Sequence, residues 1–263
     1  MKKLLSLSLF LSLSLVVLFF AGCNSPTGGG ETQNGSTNPL VGTWQKSYTS
    51  TSNNITTTMI TQYTFNADGT LLVLNGNDQL SYTGAKGTYS VDAEGNVTVT
   101  ATAMVTSATL DPKGFKVSDL PSLMTYKIQV LPYEGKLFIN EPTSASMSFL
   151  IAQGPVSGIV GTWAGETMGY GMDDSGNMVQ MYYKAEAIFS NDGNITANNY
   201  TSTNGTSYQL TGSPLTAGYT YSNDTLTIII DQATSQTYKV AIYNNKVIQG
   251  NGTSVTANAY IKQ

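Results

Sequence analysis

Leu40-Val41-Gly42-Thr43-Trp44 and Ile159-Val160-Gly161-Thr162-Trp163 stand 119 residues apart and carry the only two tryptophans of a 263-residue chain. Three further pairs keep the same order. Phe65-Asn66-Ala67-Asp68-Gly69 recurs as Phe189-Ser190-Asn191-Asp192-Gly193, and Tyr126-Lys127-Ile128 as Tyr238-Lys239-Val240. Phe149-Leu150-Ile151-Ala152-Gln153 recurs, with one gap, as Tyr260-Ile261-Lys262-Gln263. Markers that repeat in one order make a tandem duplication. The units are residues 39–153 and 159–263, joined by the linker Gly154-Pro155-Val156-Ser157-Gly158.

Each unit carries the strand period. Ile55, Met59, Tyr63 and Phe65 stand at odd positions among Thr and Gln, and Val97, Val99, Ala101, Ala103 and Val105 alternate chiefly with Thr. Tyr183, Ala185, Ala187 and Phe189 repeat the pattern, as do Leu226, Ile228 and Ile230, then Tyr238, Val240 and Ile242. A period of two buries one face of a strand and leaves the other wet. Asp68-Gly69, Glu94-Gly95-Asn96, Glu134-Gly135, Asp192-Gly193 and Asn244-Asn245 supply residues that tolerate positive φ in tight hairpins. About eight strands fit each unit at the usual spacing of turns. The fold class is therefore all-β, two tandem antiparallel meander barrels, with β-sandwiches as the alternative by strand count.

Composition narrows the chemistry. The chain has no histidine and no arginine, 12 lysines, 16 acidic residues and a single cysteine. Without imidazole there is no Ser-His-Asp or Cys-His site, no histidine metal ligand and no imidazole base. Without guanidinium there is no bidentate clamp on phosphate, and the net charge of −4 disfavours nucleic acid. The acids sit mostly at turn tips, where solvent keeps their acidity ordinary. The expectation is a protein that is not an enzyme, with no cofactor and no metal.

Lys2 and Lys3 precede an apolar stretch at 4–20, which marks residues 1–22 as a secretion signal. Phe20-Ala21-Gly22-Cys23 resembles the lipobox of bacterial lipoproteins. The resemblance implies cleavage before Cys23, acylation of Cys23, and a mature protein held on a membrane by its acyl chains. Ten lysines then face sixteen acids, so no polybasic patch assists the anchor. Residues 23–38 follow as a polar, Gly-rich flexible tether. The expected location is the bacterial cell envelope, at the outer membrane or cell surface rather than the inner membrane.

Gly-x-Trp on the first strand, Phe-x-x-Asp-Gly at a hairpin, a Gly-x-Tyr strand and a terminal aromatic strand resemble the bacterial lipocalin-like domains of envelope proteins. That resemblance implies that Trp44 and Trp163 plug the narrow ends of two barrels beneath a basic side chain from the last strand. Lys262 is the residue available for this in the second unit; the matching position in the first is Ala152.

Two segments lack an evident counterpart. Residues 111–124, with Ser118 capping a helical turn and Leu120, Leu123 and Met124 facing inward, read as a long connection tucked against the sheet, or, as the lipocalin-like resemblance implies, a lid over the barrel mouth. Residues 167–180 read as an insert in the second unit, where Met168, Tyr170, Met172 and Met178, with Met181 just beyond, offer a contact surface for a lipid-like ligand or a partner protein. Asp173-Asp174-Ser175-Gly176-Asn177 lacks the ligand register of a calcium loop and reads as a polar turn. The function expected is binding of a small apolar or amphipathic molecule in a barrel. The alternative is a surface module whose filled barrels display loops to a protein or glycan. Side-chain size at inward positions discriminates: Ala101, Ala103, Ala185 and Ala187 favour space, and Tyr63, Phe65, Tyr183 and Phe189 favour filling.

Overall fold

The alternation seen in the sequence becomes strand: Val97, Val99, Ala101, Ala103 and Val105 are all buried, and the residues between them are more exposed. The computed structural model describes residues 38–52, 55–77, 81–92, 94–141, 147–172, 177–231 and 234–263. The 1–22 signal, Cys23, the tether as far as residue 37 and the 173–176 turn lie outside the described residues. Among the described residues no helix is long and apolar enough to cross a membrane.

Seven strands come from the first unit: β1 (Gly42–Ser52), β2 (Ile55–Phe65), β3 (Thr70–Asn77), β4 (Tyr82–Val91), β5 (Asn96–Ser107), β6 (Lys116–Tyr133) and β7 (Lys136–Asn140). They form an antiparallel meander, each paired with the next. After β8 (Phe149–Ala152) come β9 (Gly161–Met172), β10 (Met178–Phe189), β11 (Asn194–Ser202), the short β12 (Gln209–Leu210), β13 (Leu215–Ser222), β14 (Thr225–Ile229), β15 (Ser235–Tyr243), β16 (Lys246–Gln249) and β17 (Tyr260–Lys262). The turns use the conformations the sequence suggested, with Gly69, Gly95, Gly135 and Gly193 and the pair Asn244-Asn245 all at positive φ. Asn223-Asp224, a sixth such turn, has no glycine to advertise it.

The N-terminal meander is not closed by its own last strand. The final strand of the chain, β17, inserts between β7 and β1, pairing Tyr260 with Leu137 and Lys262 with Trp44, and completes a closed eight-stranded antiparallel barrel. The strand at the end of the first unit, β8, pairs instead with β9 and β16, placing Ala152 opposite Trp163 and Leu150 opposite Val247. The two terminal strands have exchanged places. Loop closure does not decide between the two pairings, since eight residues join β8 to β7 and eight join it to β9. The slot between β7 and β1 is filled by β17.

In the C-terminal half the ladders run β9·β10, β10·β11, β11·β13, β13·β14, β14·β15 and β15·β16. Their registers repeat those of the N-terminal half position for position: Trp44 faces Tyr63 as Trp163 faces Ala187, and Leu71 faces Gly87 as Ile195 faces Ala217. A separate apolar layer, Leu131, Phe138, Phe149, Ile248 and Ala259, joins the halves. Tyr133 and Tyr243 occupy matching hairpin ends and meet edge to face at 5.3 Å. Contact between equivalent residues is the mark of a two-fold relation, as in an isologous interface. Asn140, fully buried, fixes the crossover into β8: its Oδ1 accepts from Ser148 N at 2.6 Å and Phe149 N at 3.2 Å, and its Nδ2 donates to Phe149 O at 2.9 Å.

Four sequence expectations are corrected. Residues 116–124 are not a capped helical turn but the start of the 18-residue strand β6, with Leu123 66% exposed; the only helical turn there is the 3-10 turn Pro112–Gly114, capped by Asp111. Pairing with Ala103–Thr106 of β5 outweighs the weak local signal of Ser118. The insert at 167–180 is narrower than the sequence suggested: Gly171 faces Val179 as Ser52 faces Ile55, so seven residues join this pair in the second unit against two in the first, an excess of five at the hairpin end. Tyr126-Lys127-Ile128 does not align with Tyr238-Lys239-Val240; Ile128 faces Val97 as Tyr238 faces Leu226, a shift of two that keeps the same face inward. Lys262 serves Trp44 of the other half rather than Trp163, a direct consequence of the strand exchange.

Candidate functional site

The repeated Gly-x-Trp motif places one buried indole in each half. Trp44 Nε1 donates to Leu40 O and Trp163 Nε1 donates to Ile159 O, both at 2.7 Å, so each indole is buried with its one polar atom satisfied. Gly42 and Gly161 adopt φ of +138° and +141°, and a Cβ would fall 2.6 Å from Lys262 Cε at the first and 2.6 Å from Val156 Cγ1 at the second. Lys262 Nζ lies 5.6 Å from the Trp44 ring. Both tryptophans are core residues of their halves.

Above the indoles the halves differ, and the matched registers show where. Tyr63 corresponds to Ala187, Val73 to Ala197, Thr61 to Ala185 and Lys46 to Gly165. Tyr260, delivered by β17, corresponds to Leu150, delivered by β8. In the N-terminal barrel these large groups fill the interior: Tyr63 stacks beside Phe65 and meets Tyr260 edge to face at 5.5 Å. Lys46 Nζ sits 5.7 Å from the Tyr260 ring, and the Tyr260 hydroxyl donates to Glu141 Oε1. Burial, and then Glu141, raise the Tyr63 and Tyr260 phenols well above their ordinary range. Burial lowers Lys46, with Glu141 opposing the shift.

In the C-terminal half the small residues leave a cavity of about 100 Å³. Ala185, Ala187, Ala197, Leu226, Ile228 and Val240 form its apolar wall, and Asn199, Tyr238 and Gln249 add polar atoms. The alanines Ala185 and Ala187 open space as their size suggests, whereas Ala101 and Ala103 lie buried in a half that other side chains fill.

The methionine-rich segment is placed differently from a free contact surface. Met168 is 3% exposed and its backbone pairs with Lys127 of β6. The Tyr170 hydroxyl accepts from Thr125 N at 3.2 Å, tying the same two strands together. Met181 is half-buried across Gly171, where an added Cβ would lie 2.9 Å from Met181 Cγ. Met172 and Met178 form the last described pair of the hairpin. Among the described residues no group of three or more acidic or cysteine side chains could hold a metal ion.

Tyr89 ends the Gly-x-Tyr strand motif, and Tyr219 is its counterpart in the second half. They stack edge to face on Phe65 and Phe189 at 5.1 and 5.0 Å and donate to Asn66 O and Ser190 O. Tyr89 N donates to Gly69 O and Tyr219 N to Gly193 O, so each is tied to its recurring Asp-Gly hairpin. No family model, curated protein or solved structure matches this chain.

Proposed function

We propose that this chain is a non-catalytic lipoprotein of the bacterial envelope, anchored by acyl chains on Cys23 at the outer membrane or cell surface and built of two tandem lipocalin-like barrels. The C-terminal barrel binds the apolar part of a small amphipathic molecule, and the N-terminal barrel is its filled, rigid partner. The observation that carries this reading is the exchange of Tyr63 and Val73 for Ala187 and Ala197 at matching positions, where both alanines line the cavity. Mere core filling needs no such asymmetry.

The cavity sets the size of the guest. A dry apolar cavity of roughly 150 Å³ accommodates benzene, so the space of about 100 Å³ takes a branched or short alkyl group. Whole drug-sized ligands need about 300–1,000 Å³. The head of the molecule therefore stays at the mouth, within reach of Asn199 and Gln249.

The test is thermal unfolding of the full chain with increasing 1-hexanol, because a ligand that binds only the folded state raises the midpoint with concentration. A rising, saturable shift that vanishes in Ala187→Tyr, which restores the side chain of the filled half, supports the proposal. Equal shifts in parent and variant, or none in either, refute it.

A further inference from the structure

A second cavity, about 380 Å³, lies outside both strand rings, in the seam between the halves. Its N-terminal wall is the β4–β5 turn and β6; its C-terminal wall is β8, β9, β10 and the 203–208 segment. The volume falls within the range of about 300–1,000 Å³ typical of small-molecule sites. Where the cavity of the C-terminal half is apolar, this groove is mainly polar, with Ile151, Ala164 and Met168 as its apolar patch.

Its polar side chains are held in place before any ligand arrives. Asp92 accepts from Glu94 N, Asn96 N and Asn96 Nδ2 at 2.8 to 3.0 Å. Gln129 donates to Asn96 Oδ1 at 3.1 Å, and its Oε1 accepts from Asn140 Nδ2 at 3.2 Å and from Glu166 N at 3.1 Å. Opposite, Ser202 Oγ accepts from Gly205 N and Asn204 Oδ1 from Ser207 N, fixing the turn that presents Tyr208. Tyr182 lies against bare backbone at Gly205, where a Cβ would fall 2.8 Å from its ring.

The charges balance: Asp92 and Glu166 stand against Lys127 in the wall and Lys184, whose Nζ is 3.8 Å from Glu166 Oε1 and 5.8 Å from the Tyr208 centroid. Such a groove gives no advantage to a strongly charged ion. What it offers is planar carboxylate and carboxamide groups, an ammonium and two flat tyrosine rings. Hydroxyl groups donate and accept at once and so pair with both kinds of group, and the C–H face of a pyranose packs on an aromatic ring as other apolar surfaces do.

We propose that the seam between the halves binds a neutral oligosaccharide, with one pyranose ring against Tyr208 and its hydroxyls shared among Gln153, Glu166 and Lys127. This site is independent of the apolar cavity. The test is calorimetric titration of the full chain, in a sugar-free zwitterionic detergent, with maltotriose, cellotriose and N-acetylated chitotriose in turn, and with glycylglycine as the charged control. One equivalent of at least one trisaccharide is expected to bind. Tyr208→Ala and the surface change Gln153→Ala are each expected to weaken it about tenfold, while Ala187→Tyr leaves it unchanged. Near-ultraviolet circular dichroism confirms that the variants are folded. Binding of none of the three sugars, binding of glycylglycine in their place, or unchanged affinity in both groove variants overturns the proposal.

Discussion

Tyr260→Ala tests the strand exchange. Tyr260 belongs by sequence to the second unit, yet it is 1% exposed inside the N-terminal barrel, edge to face with Tyr63 and hydrogen-bonded to Glu141. Truncating a buried aromatic ring costs about 3–5 kcal/mol. Leaving the Glu141 carboxylate without its phenol adds about 1–3 kcal/mol. Even with partial relaxation, a loss on the order of 4 kcal/mol is expected, and it falls on the N-terminal barrel. The matched change, Leu150→Ala, removes a smaller side chain from β8 and falls on the C-terminal half, at about 2–4 kcal/mol. Each half carries one tryptophan, so selective fluorescence in Trp44→Phe and Trp163→Phe backgrounds reports them separately during urea unfolding. Tyr260→Ala should shift chiefly the Trp44 transition and Leu150→Ala chiefly the Trp163 transition. The opposite assignment, each strand stabilising the unit in which it is encoded, refutes the exchange.

Other consequences follow from the same contacts. Asn140→Asp replaces an amide that donates to Gln129 Oε1 and Phe149 O by a carboxylate facing those oxygens, so stability should fall by about 3 kcal/mol at neutral pH; partial recovery on acidification, seen in urea melts, is the check, and a pH-independent loss contradicts it. Gly84→Ala should prevent a normal β3·β4 pairing, because the new Cβ would fall 1.8 Å from Val73 O; an unchanged melting temperature contradicts this. Alkaline pH should destabilise the protein. Burial raises the Tyr63, Tyr126 and Tyr260 phenols and, with Glu166, pushes Tyr208 up to about 12, whereas in the unfolded chain they ionise near 10.0. The folded chain then keeps protons the unfolded chain has lost, so this stability is complete below pH 10.0 and declines as pH rises toward the folded values. Spectrophotometric titration should show a group of tyrosines ionising only on unfolding; uniform reversible ionisation near pH 10.0 contradicts it.

The strands, the hairpin turns and the buried face of β5 were legible because each is a local property of two to ten residues. The matching first strands of the two halves were legible from Trp44 and Trp163, whose indoles make the same hydrogen bond four residues back. The exchange of β8 and β17 was not legible. Sequence repeats say that Leu150 and Tyr260 are equivalent, but equivalence is symmetric and does not say which copy completes which ring. Connections of eight residues on both sides of β8 leave that choice to tertiary packing. The cavity was half legible: Ala185 and Ala187 announced space, but Tyr63 against Ala187 and Val73 against Ala197 became comparable only once the ladders fixed the register. The methionine segment misled because apolar residues at a hairpin end serve equally to join two halves, as Met168 and Tyr170 do. The polar seam was invisible, since Asp92, Gln153, Glu166 and Tyr208 meet only through tertiary structure.

Native mass spectrometry of the full-length protein recovered from its own membrane, beside Ala187→Tyr recovered in the same way, bears most directly on the claim that the C-terminal cavity holds an amphipathic molecule. The expected result is one additional small mass on the parent, separate from the acyl modification proposed at Cys23, lost on organic extraction and missing from the variant. A clean mass on the parent, or the same extra mass on both proteins, contradicts it.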